Sequence, residues 1–144
     1  MALDMILKEG IEAVWRRHEV LASAIWAAIE SWEKGGELKA NIQDKKLRSA
    51  AVTSLHVQTP KGTHIRKWLQ ANTGLTIGIG LGMATPNDPN GDGYFRLGHM
   101  GHVNAQMIMA LIATLETAMI AVGVPHGNNA INKAASIIAN FSEP

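Results

Sequence analysis

Tyr94-Phe95-Arg96-Leu97-Gly98-His99-Met100-Gly101 carries more information than any other stretch of the chain. Its first four residues alternate, so Tyr94 and Arg96 share one face of a short strand and Phe95 and Leu97 take the other. The remainder, with glycines at 98 and 101, reads as a turn. Just upstream, Asn87 to Gly93 is dense in turn residues. Before that loop, Leu75, Ile77 and Ile79 alternate with Thr76, Gly78 and Gly80, which predicts a strand with one bare face. Glycines gathered on one face of a strand mark the close approach of another backbone or a ligand. Farther upstream, Ala51, Thr53, Leu55 and Val57 share one side of a strand over Ala50 to Val57 that stops before Pro60.

Helical periodicity fills the rest. Asp4 to Lys34 reads as one long helix, with Leu3, Leu7, Val14, Leu21, Ile25, Ala28 and Trp32 along one stripe. A second stripe of Ile11, Trp15, Ala22, Trp26 and Ile29 makes its apolar face unusually wide. Gly10 marks a bend or a close contact, and Gly35-Gly36 ends the helix. Thr63 caps a short helix carrying Ile65, Trp68 and Leu69, closed around Asn72 to Gly74. A third helix over Asn104 to Val122 turns Met107, Ile108, Leu111, Leu115 and Met119 inward and stops at Gly123 and Pro125. Asn128 caps a last helix with Ala130, Ala134, Ile137, Ile138 and Phe141 on its apolar side. The order predicts an α+β fold in which a small, mainly antiparallel three-stranded sheet is covered by helices, as one domain over residues 1–144.

Composition narrows the function. Apolar residues make up 47% and charged residues 17%, with 13 basic against 12 acidic. No basic stripe interleaves with aromatics, so a nucleic-acid partner is not expected. The absence of cysteine excludes disulfides and thiolate metal sites and is compatible with a cytoplasmic location. The apolar run Met107 to Val122 contains Thr114, Glu116 and Thr117 and is short for a membrane span.

Three constellations tempt a ligand reading. Asp88-Pro89-Asn90-Gly91-Asp92-Gly93 matches the opening of a calcium-binding helix–loop–helix, but the twelfth position, where a bidentate glutamate belongs, is His99. A polar hairpin loop is the better reading, with weak calcium binding as its alternative. His99 and His102, with His126 farther on, lack the third and fourth converging ligands of a zinc site. His99 is expected to hydrogen-bond or pack locally in its turn. Gly78-Ile79-Gly80-Leu81-Gly82 lacks the spacing, helix and downstream acid of a dinucleotide fingerprint.

The segment Arg96-Leu97-Gly98-His99-Met100-Gly101, followed by Asn104, resembles the Arg-[Ile/Leu]-Gly-His-Met-Gly signature of class V (fold-type I) pyridoxal-phosphate aminotransferases. The alanine–glyoxylate, serine–glyoxylate and pyridoxamine–pyruvate enzymes are the most similar in feel. Glu9-Gly10, Arg17-His18 and the order of elements match the small C-terminal domain of that family. The resemblance implies that Arg96 binds the α-carboxylate of a small amino acid or 2-oxo acid, supported by Gly98, His99 and Gly101. The alternative for Arg96 is an ordinary surface ion pair. The resemblance also implies pyridoxal phosphate as cofactor of the complete enzyme, held by a large lysine-bearing domain that this chain lacks, and a homodimer. On that view the chain is a fragment, and alone it does not transaminate. Trp15 and Trp26 would face the absent domain. A stand-alone binding or interaction domain reusing the fold is the competing reading.

Overall fold

The computed structural model describes residues 1–141. Its sheet is organised by β4 (Tyr94–Gly98), which pairs antiparallel with β2 (Val52–His56), placing Val52 opposite Gly98 and His56 opposite Tyr94. On the other side of β4 lies β3 (Gly78–Ile79), with Gly78 opposite Arg96. Beyond β2 lies β1 (Lys39–Ala40), with Ala40 opposite Leu55. The order is β1-β2-β4-β3, antiparallel throughout. The expected class therefore holds, with four strands instead of three. β1 has only two residues, too few for alternation to reveal it.

Strand alternation sorts the two faces. Ala40, Thr53, Leu55, Val57, Phe95 and Leu97 are buried, while Ser54, His56, Tyr94 and Arg96 on the opposite face are half-buried. One face packed and one face open is the usual state of an antiparallel sheet. The packed face shares a single core with α2 (Ile11–Glu33), α3 (Lys61–Thr73), α4 (Ala105–Ala121) and α5 (Ala130–Ala139). Ile25, Ile29 and Trp32 come from α2, Ile65 and Leu69 from α3, and Ile112, Leu115 and Met119 from α4. Each such side chain contributes about 1.5–3 kcal/mol by leaving water. α2 lies along α5 and touches α4, and α3 packs on α4 and β4.

The long first helix is broken. Gly10 has φ 88°, which a right-handed helix cannot continue, so α1 (Ala2–Glu9) and α2 are separate. α1 buries none of its residues, and Leu3, Leu7, Ile11 and Trp15 are exposed, Trp15 to 64%. The wide apolar face is therefore used only from Leu21 onward. Smaller shifts follow the same logic. Met107 is half-exposed, and Ile112 and Ala118 take inward places on α4. The cap of α5 is Asn129, not Asn128, and α3 begins at Lys61, two residues before Thr63. Asn104 does cap α4, accepting from the Met107 N–H at 2.9 Å.

The end of α2 meets the loop before α5 backbone to backbone. Glu37 N–H donates to the Pro125 carbonyl at 3.1 Å and Gly127 N–H to that of Trp32 at 2.9 Å. A Cβ on Gly36 would stand 1.9 Å from the Pro125 oxygen, where neither backbone can yield cheaply. Gly36→Ala is expected to destabilise the fold by about 1–3 kcal/mol or more in urea unfolding. Gly98→Ala, whose Cβ would meet only the end of Met100 at 3.8 Å, should leave the midpoint almost unchanged. Equal midpoints for the two variants would contradict this account.

Candidate functional site

Arg96 occupies the middle of β4 on the open face, between Ser54 of β2 and Gly78 of β3. Gly78 leaves room for it, since a Cβ there would lie 3.3 Å from Arg96 Cβ and 3.5 Å from its Nε. Arg96 lies across this gap, and its Nε donates to the Ile79 carbonyl at 2.8 Å. Gly80 does the same for Tyr94, whose Cβ would be 2.4 Å from a Cβ at 80. The glycine-bare face thus accommodates the chain's own side chains. Among the described residues Arg96 has no carboxylate partner, and neither terminal nitrogen makes a hydrogen bond. The alternative of a surface ion pair finds no acid among those residues. Tyr94 leans on His56 with ring centroids 4.5 Å apart, and the Ser54 hydroxyl donates to Met83 Sδ at 3.3 Å. The face therefore offers a cation flanked by a hydroxyl, a thioether and an aromatic pair.

His99 does not act locally, as its turn position suggested. It is fully buried, and its bonds reach far back in the sequence. Nδ1–H donates to the Ala50 carbonyl at 3.0 Å, and Nε2 accepts from the Thr53 hydroxyl at 2.9 Å. Thr53 Oγ1 in turn accepts from Trp26 Nε1–H at 3.0 Å. This assignment satisfies every polar atom with a neutral ring. Burial pushes the His99 pKa down, partly opposed by the bond to Ala50 and assisted by His18. The end of β4 is thereby pinned to the start of β2 and to α2. Trp26, expected to face outward, is half-buried in this relay.

The contacts of Arg17 are not legible in its local sequence. Its Nε and Nη2 hold both oxygens of Glu9 at 2.6 and 2.9 Å, and its Nη1 reaches the carbonyls of Gly101 and Val103 at 3.1 and 2.8 Å. The shared hydrogen bond lowers the Glu9 pKa and raises that of Arg17. The separation of eight positions between Glu9 and Arg17 does not suggest a pair on a straight helix; the break at Gly10 creates it.

The Asp88 carboxylate is already occupied. It accepts from the Gly93 N–H at 2.8 Å, the Asp92 N–H at 2.9 Å and the Thr59 hydroxyl at 3.1 Å, with Gly93 first among the causes that lower its pKa. Asp92 accepts from the Thr63 hydroxyl. These donors organise a polar loop, the better of the two readings from sequence. Among the described residues no three His, Asp or Glu side chains gather as a metal site. His102 is exposed at the rim of a cleft of about 220 Å³ lined with Met5, Ile6, Val14 and His18, and Arg96 is not part of that cleft. The fit of pyridoxal phosphate is decided by the lysines. A Schiff-base lysine needs a desolvating pocket or a neighbouring cation. Here Lys61 is half-buried but paired with Glu37 at 2.7 Å, and every other lysine is exposed. The lysines of this chain do not fit the cofactor. No helix among the described residues is long and apolar enough to cross a membrane.

The His99 relay has a measurable consequence. With a folded pKa below the ordinary 6.5, His99 is neutral in the fold while the unfolded chain binds the proton more readily. Its contribution is full above pH 6.5 and is lost as pH falls through the lowered folded value. Urea midpoints should fall over that window, and the difference between the native chain and His99→Phe should shrink there. A difference independent of pH would refute the neutral-ring assignment.

No protein-family model matches the chain. Individual relatives do. Over 127 residues it is 33% identical to the serine–glyoxylate aminotransferase of Arabidopsis thaliana, covering 86% of this chain and 29% of that protein. It is 31% identical to the L-aspartate–glyoxylate aminotransferase of Paracoccus denitrificans, covering 85% of this chain and 28% of that protein. The crystal structure of pyridoxamine–pyruvate aminotransferase from Mesorhizobium loti superposes with a TM-score of 0.81 at 26% identity, over 95% of this chain and 33% of that one. The chain thus spans about a third or less of the length of the proteins it matches. Sequence and fold agree with one another, and the chain corresponds to the C-terminal small domain of the class V (fold-type I) aminotransferases.

Proposed function

We propose that this chain is the substrate-carboxylate-binding part of an aminotransferase that moves an amino group between an amino acid and a small 2-oxo acid such as glyoxylate or pyruvate. The glyoxylate and pyruvate enzymes that it resembles favour those acceptors. The observation that carries the role of Arg96 is the division of labour within its guanidinium. Nε is committed to the Ile79 carbonyl, while Nη1 and Nη2 have no partner among the described residues. Two parallel N–H groups on a fixed plane match the two oxygens of a carboxylate. Fixing the side chain beforehand reduces the ordering cost when the ligand arrives. Gly98 and His99 end the strand behind this group, and Gly101 follows in the turn.

Because no lysine of this chain suits a Schiff base, pyridoxal phosphate and the proton transfers belong, on this reading, to residues beyond the chain. Alone it binds substrate without transaminating. The complete enzyme is proposed to work as a dimer in the cytoplasm.

The test is a nitrogen-15 NMR titration of the 144-residue chain with glyoxylate and pyruvate, with pyruvamide as the uncharged control. Saturable shifts are expected at Arg96 Nε and at the amides of Gly78 and Ile79, absent with pyruvamide. Arg96→Gln should abolish them. Arg96→Lys, which keeps the charge but loses the second parallel bond, should weaken binding by about tenfold, near 1.4 kcal/mol. Shifts that survive Arg96→Gln would overturn the assignment.

A further inference from the structure

We propose that Arg17 is a positioning residue that couples the orientation of α1 to the turn following the Arg96 strand. Two contacts made by one rigid group carry the inference. One edge of the guanidinium, Nε and Nη2, is clamped by both oxygens of Glu9, the last residue of α1. The remaining nitrogen, Nη1, is shared between the carbonyls of Gly101 and Val103. A guanidinium is planar and its donors keep fixed angles, so Glu9 cannot move without turning the plane. A turned plane cannot keep both carbonyl bonds, because each weakens steeply off its axis.

The surroundings leave α1 free to exert this effect. It buries none of its residues, and Gly10 at φ 88° is a hinge between it and α2. The cleft of about 220 Å³ between α1, α2 and the turn provides space for displacement. The other end of the turn is immobilised by His99, through Thr53 and Ala50. Arg17 is therefore the adjustable attachment and His99 the fixed one. The turn begins immediately after β4, so the state of the Glu9–Arg17 clamp sets how the strand carrying Arg96 is terminated. The consequence for ligand affinity rests on the carboxylate reading given above; the mechanical coupling does not.

The experiment uses the whole chain and three variants. Glu9→Gln removes the clamp's charge yet touches neither carbonyl. Arg17→Met keeps the apolar stem, and Arg17→Lys keeps the charge but cannot serve both sides. The amides of His102 and Asn104 report on the peptide groups whose carbonyls Nη1 holds. Glu9→Gln is expected to shift both resonances, Arg17→Met to move them farther in the same direction, and Arg17→Lys not to restore them. The dissociation constant for glyoxylate should rise about fivefold in Arg17→Met, the low end of ordinary coupling between sites. Shifts confined to α1 and the first turns of α2 in Glu9→Gln would overturn the coupling. Unchanged glyoxylate affinity in Arg17→Met would overturn its consequence for the ligand. If the native chain shows no saturable response to glyoxylate, the carboxylate reading fails, while the His102 and Asn104 shifts still decide the coupling. Should Arg17→Met fail to fold, Glu9→Gln decides it.

Discussion

The two-residue period of β4 is the constraint from which the rest of the molecule follows. Phe95 and Leu97 are drawn into the core, and Phe95 alone is large enough to anchor the middle of the sheet. Once both are inward, Tyr94 and Arg96 must face outward, because adjacent strand residues cannot share a face. β2 and β3 flank β4, so the outward arginine stands on a sheet with neighbours on each side and not on an edge. A one-residue slip would bury Arg96 without a partner and expose Phe95, and the cost of an unpaired buried cation makes that register inaccessible.

A second constraint fixes where β4 ends. Gly98 exits the strand and His99 turns back into the interior, where a polar ring is tolerated only if both nitrogens are engaged. Ala50 and Thr53 supply those bonds, and Trp26 completes the chain of donors. The relay joins strand, strand and helix at one point. The same core that shelters it would be destabilised by a protonated ring, which could no longer accept from Thr53. Stability and site geometry therefore depend on the same neutral imidazole.

The sequence disclosed what is local and periodic. The alternation of β4, the cap at Asn104, the inward Ile108, Leu115 and Met119 and the α+β class all follow from spacing and turn chemistry. The open-face position of Arg96 was legible because the alternation of its strand is a local property. What remained hidden depends on contacts between distant residues. β1 exists only through its pairing with β2. The partners of His99 precede it by more than forty residues, and those of Arg17 on the turn follow it by more than eighty. The exposed state of Leu3 and Leu7 was concealed for a different reason. Periodicity records that a helix has an apolar face, but what covers that face is not encoded in the helix itself.

The glycines beside Arg96 set its geometry at the expense of strand stability. Gly78 and Gly80 weaken β3, since glycine in a strand has no side chain to pack and loses more conformational freedom on ordering. β3 is correspondingly short, at two residues. That loss is offset only in part by burial, because the side chains that fill the vacated space, Arg96 and Tyr94, are themselves only half-buried. What the glycines secure is geometry: Arg96 lies low across the sheet with Nε on the Ile79 carbonyl, held before any ligand is present. A sheet selected for stability alone would place an alanine or a β-branched residue at 78 and let the arginine extend into solvent. The arrangement exchanges strand stability for a guanidinium tied down through its Nε, which is what the binding role proposed for Arg96 requires.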